Sequence, residues 1–330
     1  MESGTLSIIH RSALVLLCAV WLAVPPQTSA QQYPARSIRF IAPNLPGGPT
    51  DILARIIGQK LSESMGQPVI VENRAGASGI IGTEAAAKSP PDGYTLVTGN
   101  NATFGANVSL FKKLPYDPVR DFSPVVLVAT QPNILVVHPS LPVKSVRELI
   151  AFAKARPGQL NYAGTGMGAA ANMSAELFKS MTGTEMVGIS YKSASPALTD
   201  LIAGQTQLMF ATSLSVMPHI RANRVRPLGV TAAKRTGAMP ELPTIAEAGV
   251  PGFEASTWHG VFVPAGTPAV IVDRLNAEIN RLLQLQDVRE RLAALGAEII
   301  GGTSRELADH IQREIPKWAK VIRETGAKAE

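Results

Sequence analysis

The residue types that catalyse reactions are few and scattered in this sequence. Beyond the N-terminal 30 residues the histidines are His138, His219, His259 and His310, and no two of them have the H-x-x-x-H or H-E-x-x-H spacing of a metal site. The single cysteine, Cys18, lies near the N-terminus. The sequence contains neither a G-x-S-x-G elbow nor a phosphate-binding P-loop. These absences argue against an enzyme and leave a hydrolase or transferase as the alternative.

Loops rich in glycine, asparagine and hydroxyl side chains offer a different chemistry, the binding of a small molecule. Each follows a short apolar run, at 43–51, 73–79, 99–103, 164–170 and 191–196, and all except 99–103 precede a predicted helix. Gly47 and Gly48 let the backbone approach a ligand closely, and N–H groups at a helix start attract an anion. The same residue types also form plain turns and helix caps, so each loop alone leaves both interpretations open.

Charged side chains near these loops have equally open roles. Arg74 could clamp a carboxylate or hold its own loop at the surface. Lys192 could face an acidic ligand or solvent. The segment Gly164-x-Gly166-x-x-Ala169 matches a loose dinucleotide fingerprint, but 190–192 lacks the acidic residue expected at the end of the next strand. We therefore expect neither a cofactor nor a metal.

Alternating strands and helices must position these loops. Apolar runs at 37–42, 69–72 and 94–98 predict strands, separated by helical patterns at 50–65 and 80–88. The pattern restarts with strands at 160–163, 186–191 and 207–211 and helices at 170–181 and 196–203. Ser145 and Glu148 predict a capping box, and helices from 268 and 304 complete the chain. This order predicts an α/β fold with two lobes, each a mostly parallel sheet flanked by helices.

The chain is predicted to cross between the lobes twice, near 125–133 and near 226–258. We assign 31–130 and 259–330 to lobe 1, and 131–258 to lobe 2. Two lobes joined by two crossings form a hinged cleft. Ligands of open parallel sheets bind beyond the carboxyl ends of the strands, which is where the loops lie.

The N-terminus has the pattern of an export signal. Arg11 precedes an apolar run of about 12 residues at 13–24, well short of the roughly 20 that span a bilayer. Small residues at 28–30 predict cleavage between Ala30 and Gln31, which makes 1–30 a signal peptide and the mature protein periplasmic. The net charge of +6 is scattered, which fits an anionic ligand or ordinary solubility better than nucleic acid.

Six segments resemble the Bug-type receptors of tripartite tricarboxylate transporters (TTT), a class of bacterial periplasmic solute-binding proteins. They are 46–51 (PGGPTD), 71–77 (VENRAGA), 90–96 (PPDGYTL), 133–139 (NILVVHP), 242–249 (LPTIAEAG) and 258–268 (WHGVFVPAGTP). The resemblance implies a type II-like periplasmic binding protein that closes on a small carboxylate and delivers it to a TTT-type membrane permease. A receptor that presents its ligand to a sensor kinase is the alternative. We expect a monomer with no nucleic-acid partner.

The resemblance also implies which residues hold the ligand. One carboxylate goes to lobe 1, mainly through backbone groups and bridging waters, at Leu45, Pro46, Gly47, Gly48, Asp51, Gly76, Ala77, Ser78, Gly79, Asn100, Asn101 and Thr103. Lobe 2 would read the rest of the ligand through Thr165, Gly166, Met167, Gly168, Ala169, Ala170, Asn172, Tyr191, Lys192 and Ser193. Asn172 stands where relatives often carry histidine. We therefore expect an uncharged distal pocket, suited to an apolar or aromatic end or to a monocarboxylate.

Overall fold

The computed structural model of the chain describes residues 33–164, 170–191, 194–237 and 239–326. Its strands are β1 (Ile38–Ala42), β2 (Val69–Asn73), β3 (Thr95–Asn100), β4 (Phe122–Gln131), β5 (Asn133–Val137), β6 (Leu160–Gly164), β7 (Met186–Ser190), β8 (Leu208–Thr212), β9 (Arg226–Val230), β10 (Thr257–Pro264) and β11 (Glu298–Ile299). Its α-helices are α1 (Pro49–Met65), α2 (Ile80–Ala87), α3 (Asn107–Leu110), α4 (Val146–Ala155), α5 (Ala170–Thr182), α6 (Ala194–Ile202), α7 (Ser213–Arg221), α8 (Ala269–Leu283), α9 (Gln286–Ala294) and α10 (Ser304–Thr325). Within these ranges, no helix combines the length and the apolar character that crossing a membrane requires.

The strands form two sheets, and the predicted two-lobed α/β fold is confirmed. The first sheet has the order β11-β4-β10-β3-β1-β2 and the second the order β7-β6-β8-β5-β9. In the first sheet β1 runs parallel to β2 and β3, and in the second β6 runs parallel to β7 and β8. The carboxyl ends of β1, β2 and β3 therefore meet at one edge of their sheet.

The expectation of mostly parallel sheets is wrong, because both sheets are mixed. Strand β10 runs antiparallel to β3 and β4, and β5 runs antiparallel to β8 and β9. Parallel neighbours in a sheet need a crossover connection, usually a helix. Strands β4, β5, β9 and β10, which carry the chain between the two sheets, are instead paired with neighbours that run in the opposite direction.

The chain changes sheets at two places. Strand β4 ends at Gln131 and β5 begins at Asn133, so Pro132 alone separates a strand of the first sheet from one of the second. The return lies between Val230, the end of β9, and Thr257, the start of β10. Both places agree with the predicted crossings, and the residue limits given above for the lobes stay a prediction.

Helix α10 lies against both sheets' cores. Its Leu307 and Ile311 belong to a buried cluster with residues of the first sheet. Its Trp318, Val321 and Ile322 belong to another cluster, which contains residues of β5, β6 and β8. The helix that sequence assigns to lobe 1 therefore also packs on elements assigned to lobe 2.

Candidate ligand-binding site

A cavity of about 780 Å³ opens at the carboxyl ends of β1, β2 and β3. Residues that follow each of these strands line one side, and residues of β5, β8, α5 and α6 line the other. The lining consists of Pro43, Asn44, Leu45, Pro46, Gly47, Gly48, Pro49, Thr50, Ala75, Gly76, Ser78, Gly79, Asn100, Asn101, Ala102, Gln131, Asn133, Ala170, Ala171, Ala194, Met209, Phe210, Thr212, Thr257 and His259. Its volume suits a small molecule.

The loop between β1 and α1 is held by the carboxylate of Asp51. Asp51 accepts hydrogen bonds from the Gly47 N–H at 2.8 Å, from Asn73 Nδ2 at 2.8 Å and from Arg55 Nε at 3.1 Å. Burial raises the pKa of Asp51, but the hydrogen bonds from Arg55, Gly47 and Asn73 outweigh burial and lower it below its ordinary value. Asp51 is thus a buried anion whose hydrogen bond to the Gly47 N–H fixes the conformation of the loop.

Helix α1 begins at this loop without a side-chain cap. Gly48 is the N-cap residue and has no side chain that could cap the helix, and Pro49 occupies the first turn. The N–H groups of the first turn of a helix have no partner within the helix, and the helix dipole favours an anion beside them. Because Gly47, Gly48, Pro49 and Thr50 all line the cavity, this helix start can bind an anionic group there.

The loop between β2 and α2 has an unusual backbone. Four residues in a row have positive φ: Gly76 at 132°, Ala77 at 44°, Ser78 at 55° and Gly79 at 85°. Left-handed φ in residues other than glycine is strained, and such strain is concentrated at functional sites. Asn107, fully buried in α3, donates from Nδ2 to the Ser78 carbonyl oxygen at 3.1 Å and thereby helps to hold this conformation.

The loop after β3 is closed by its own side chains. Asn100 Oδ1 accepts from the backbone N–H groups of Ala102 at 3.0 Å and Thr103 at 3.1 Å. The Tyr116 hydroxyl donates to the Thr103 carbonyl oxygen at 2.7 Å, and burial raises the pKa of Tyr116 to about 12. The Asn100 amide oxygen thus serves as a turn former, the alternative role considered for it.

Among the described residues, the second-lobe side of the cavity is mainly apolar, and Asn133 of β5 and Thr212 of β8 are its polar members. Ala170 and Ala171 at the start of α5 and Ala194 at the start of α6 lie beside Met209 and Phe210 of β8. The described lining contains no Asp, Glu, Lys or Arg on either side, and His259 is its one titratable side chain. Charge on a ligand would therefore meet backbone groups, amides, hydroxyls and this histidine within the described residues.

The structure places the predicted site residues in three groups. Those that line the cavity are Leu45, Pro46, Gly47, Gly48, Gly76, Ser78, Gly79, Asn100, Asn101 and Ala170. Those that are described but do not line it are Asp51, Ala77, Thr103, Asn172 and Tyr191. Residues 165–169, 192 and 193 lie outside the described part of the chain. The ligand-binding assignment of the whole set stays a prediction.

Two of the residues outside the lining have other contacts. Asn172 is 8 % exposed, and a Cβ at Gly164 would lie 2.4 Å from its Oδ1, so this side chain packs against the end of β6. The Tyr191 hydroxyl donates to Asp200 Oδ2 at 2.8 Å. Burial, followed by this contact with Asp200, raises the pKa of Tyr191.

Fifteen lining residues were absent from the sequence-based set, among them Asn44, Gln131, Asn133, Met209, Phe210, Thr212, Thr257 and His259. Gln131 and Asn133 flank Pro132, and Thr257 begins β10. All three residues lie where the chain passes from one sheet to the other, and such positions border the cleft of a two-lobed protein. The predicted crossings were a signal that could have found these three residues.

Comparison with known proteins identifies relatives of the whole chain. The family model described as the tripartite tricarboxylate transporter family receptor matches residues 53–327. Protein BugT of Bordetella pertussis is 41% identical over 315 residues, which cover 95% of this chain and 96% of BugT.

Solved structures with the same fold contain bound carboxylates. Rpa4515 of R. palustris, solved with adipate, is 40% identical with a TM-score of 0.76, and the match covers 90% of this chain and 100% of that one. MatC of Rhodopseudomonas palustris, solved with malate, is 35% identical with a TM-score of 0.73, and the match covers 88% of this chain and 100% of that one.

Proposed function

The chain belongs to the family of tripartite tricarboxylate transporter receptors, and we propose that it captures a small carboxylate in its cavity and delivers it to a TTT-type permease. The observation that carries this proposal is the cavity itself, which is lined by backbone groups at the start of α1 and at the carboxyl ends of β1, β2 and β3. Adipate in Rpa4515 and malate in MatC support a carboxylate as the ligand class.

The proposed ligand has one carboxylate at the first-lobe loops and an apolar remainder. The start of α1 offers N–H groups to an anion, while alanines, Met209 and Phe210 form most of the described part of the opposite wall. An apolar wall favours the transfer of hydrocarbon or aromatic surface out of water. We therefore propose that a monocarboxylate with an apolar or aromatic end, or a longer dicarboxylate, fits better than a short tricarboxylate.

The remaining parts of the function rest on the family and on the N-terminal sequence. We propose that 1–30 is a signal peptide and that the mature receptor works in the periplasm, as a binding protein without catalytic activity. No described residue favours presentation of the ligand to a sensor kinase over delivery to a permease. A pull-down of membrane partners from the native host would distinguish the two.

Thermal unfolding in the presence of organic acids tests the ligand class. A ligand that binds only the folded state stabilises it by about 2.7 kcal/mol at a concentration of 100 Kd, which raises the melting temperature by several degrees. We expect adipate or benzoate to do so, and malate, which is short and carries a polar hydroxyl group, to have a smaller effect. Adipamide, the neutral analogue of adipate, is the matched control and should have no effect. Stabilisation by adipamide or by a sugar, with none by any acid, would show that the carboxylate assignment is wrong.

A further inference from the structure

His259 is a buried histidine in the cavity wall whose ring nitrogens have no hydrogen-bond partner. Its side chain is 3 % exposed, and neither Nδ1 nor Nε2 finds a partner among the described residues. A neutral imidazole has one donor and one acceptor, and leaving a buried polar group without a partner is costly. Because both nitrogens lie in the wall of the ligand cavity, the ligand can supply the hydrogen-bond partner that the described residues do not.

The strand register places His259 beside the loops of the first lobe. In the antiparallel pair of β10 and β3, His259 is directly opposite Asn100. Directly opposed residues of an antiparallel pair have Cβ atoms about 4.5–5.5 Å apart and point to the same face. Asn100 lines the cavity and closes the loop after β3. His259 is therefore next to the loops that are proposed to hold a carboxylate.

The charged groups on the described elements around the cavity already have ion-pair or hydrogen-bond partners. Asp51 is paired with Arg55, Glu72 with Arg74, Glu176 with Lys179, and Asp200 with the Tyr191 hydroxyl. Glu298 of β11 is opposite Thr130 of β4, which places β4 between it and β10. His310 and Glu314 contact Trp258, whose side chain leaves β10 on the face opposite to that of His259. Within the described residues, His259 is thus the group in the cavity wall that can become a cation.

On the basis of the proposed carboxylate function, we propose that His259 takes up a proton from solution when the ligand binds, so that the receptor binds a carboxylate together with H⁺. The proton joins the unprotonated ring nitrogen, and no covalent bond breaks. The imidazolium then has two N–H donors, of which one can donate to a carboxylate oxygen. A neutral imidazole in the empty cavity avoids a buried charge, and the ligand supplies the opposite charge that makes the cation favourable.

The direction of the pH effect follows from the two protonation states. Burial lowers the pKa of His259 to about 4 in the empty protein, so the ring is neutral there above about pH 5. An opposite charge within about 4–6 Å raises a histidine pKa by roughly 1 to 3, which brings that of the liganded protein to about 5–7. A group whose pKa rises on binding takes up protons. The affinity for the carboxylate must therefore increase as the pH falls toward that range.

Calorimetric titration of the full mature protein with adipate, malate and benzoate at pH 6.0 and pH 8.0 tests this proposal. Benzoate, whose carboxyl pKa is about 4, stays ionised at both values. The second carboxyl of adipate and malate titrates about one pH unit higher, because the first carboxylate disfavours a second negative charge, so these two ligands are mostly ionised at pH 6.0. For a liganded pKa of about 6.5, we expect roughly fourfold tighter binding at pH 6.0. Titrations at pH 6.0 in buffers of different ionisation enthalpy should show net proton uptake. This measurement on the unmodified protein does not depend on the folding of any variant.

Two matched variants locate the proton. His259→Gln keeps a polar side chain that cannot titrate and should abolish the pH dependence and the proton uptake. His138→Gln changes a histidine that does not line the cavity and bonds Ser140, and it should leave both intact. Binding with equal affinity at both pH values would overturn the proton uptake while the carboxylate function stands. Proton uptake that persists in His259→Gln would overturn the assignment to this residue, and absence of binding by every acid at both pH values would overturn both proposals.

Discussion

Replacing Gly79 with alanine is expected to weaken carboxylate binding by at least about tenfold, the equivalent of losing one hydrogen bond. Gly79 has a φ of +85°, and an added Cβ would lie 2.7 Å from Thr103 Cγ2 and 3.3 Å from the Pro43 carbonyl oxygen. The three loops of the first lobe meet at this glycine. A methyl group here must push the loop after β2 away from the other two.

Thr103 cannot easily move to accommodate that methyl group. Its Oγ1 accepts the Asn100 N–H at 3.2 Å, and its carbonyl oxygen accepts the Tyr116 hydroxyl at 2.7 Å. The strain therefore falls on the backbone of the site. We expect Gly79→Ala to lower the free energy of unfolding by about 2–4 kcal/mol, of which roughly 1–2 kcal/mol reflects the left-handed conformation itself.

Gly158→Ala is the matched control for this prediction. Gly158 also has a left-handed φ, of +72°, but an added Cβ would meet nothing within 4 Å, and the residue does not line the cavity. We expect it to lower the stability by about 1 kcal/mol and to leave binding unchanged. Calorimetric affinities and urea unfolding of both variants measure these effects. Equal losses of affinity in the two variants would show that the meeting of the loops at Gly79 is not what positions the ligand.

Local sequence signals predicted much of the fold because each was physically self-contained. Ser145 does accept the Glu148 N–H at 3.2 Å at the start of α4, but the Glu148 carboxylate accepts the N–H of Lys144 and not that of Ser145, so half of the predicted capping box forms. Helix α1 ends at Met65, where the pattern at 50–65 places its end, and Gly66 follows in the left-handed conformation, with φ at 72°, in which glycine commonly terminates a helix. The direction of β10 could not be read in this way, because strand pairing depends on the path of the chain between the sheets and not on the residues of one strand.

The site was less predictable than the fold, because several of its contacts join residues that are far apart in the sequence. The described glycine-containing loops, after β1 and β2, could be predicted to line the cavity because ligands of open sheets bind at the carboxyl ends of parallel strands. The sequence around His259, beside Trp258 in an apolar run, fits a packed or hinge position as well as a place at the border of the cleft. Asn107 carried no signal, because its role depends on a contact with Ser78, 29 residues away. Side chains that act across the fold need its coordinates.

The carboxylate of Glu314 is expected to be among the most important polar groups for stability. Glu314 is 3 % exposed on α10, and its Oε2 accepts the indole N–H groups of Trp258 at 3.0 Å and Trp318 at 2.8 Å, while Lys317 contacts its Oε1. Both tryptophans are 1 % exposed. Trp258 belongs to the core of the first sheet and Trp318 to the cluster shared with the second. One carboxylate thus connects the returning strand β10 with the helix that packs on both cores.

Glu314→Ala should lower the free energy of unfolding by about 3–5 kcal/mol, because it leaves two buried indole N–H groups without an acceptor and removes the closer of the two carboxylates paired with Lys317. Glu314→Gln keeps an acceptor oxygen and loses only the charge, so we expect a smaller loss of about 1–2 kcal/mol. Glu84→Ala is the control, since Glu84 pairs with the exposed Lys88 and should contribute about 0–1 kcal/mol. Urea unfolding followed by far-UV circular dichroism avoids the direct effect of the mutation on tryptophan fluorescence. A loss in Glu314→Ala as small as that in Glu84→Ala would mean that water replaces the carboxylate, and that α10 is held to β10 by apolar packing alone.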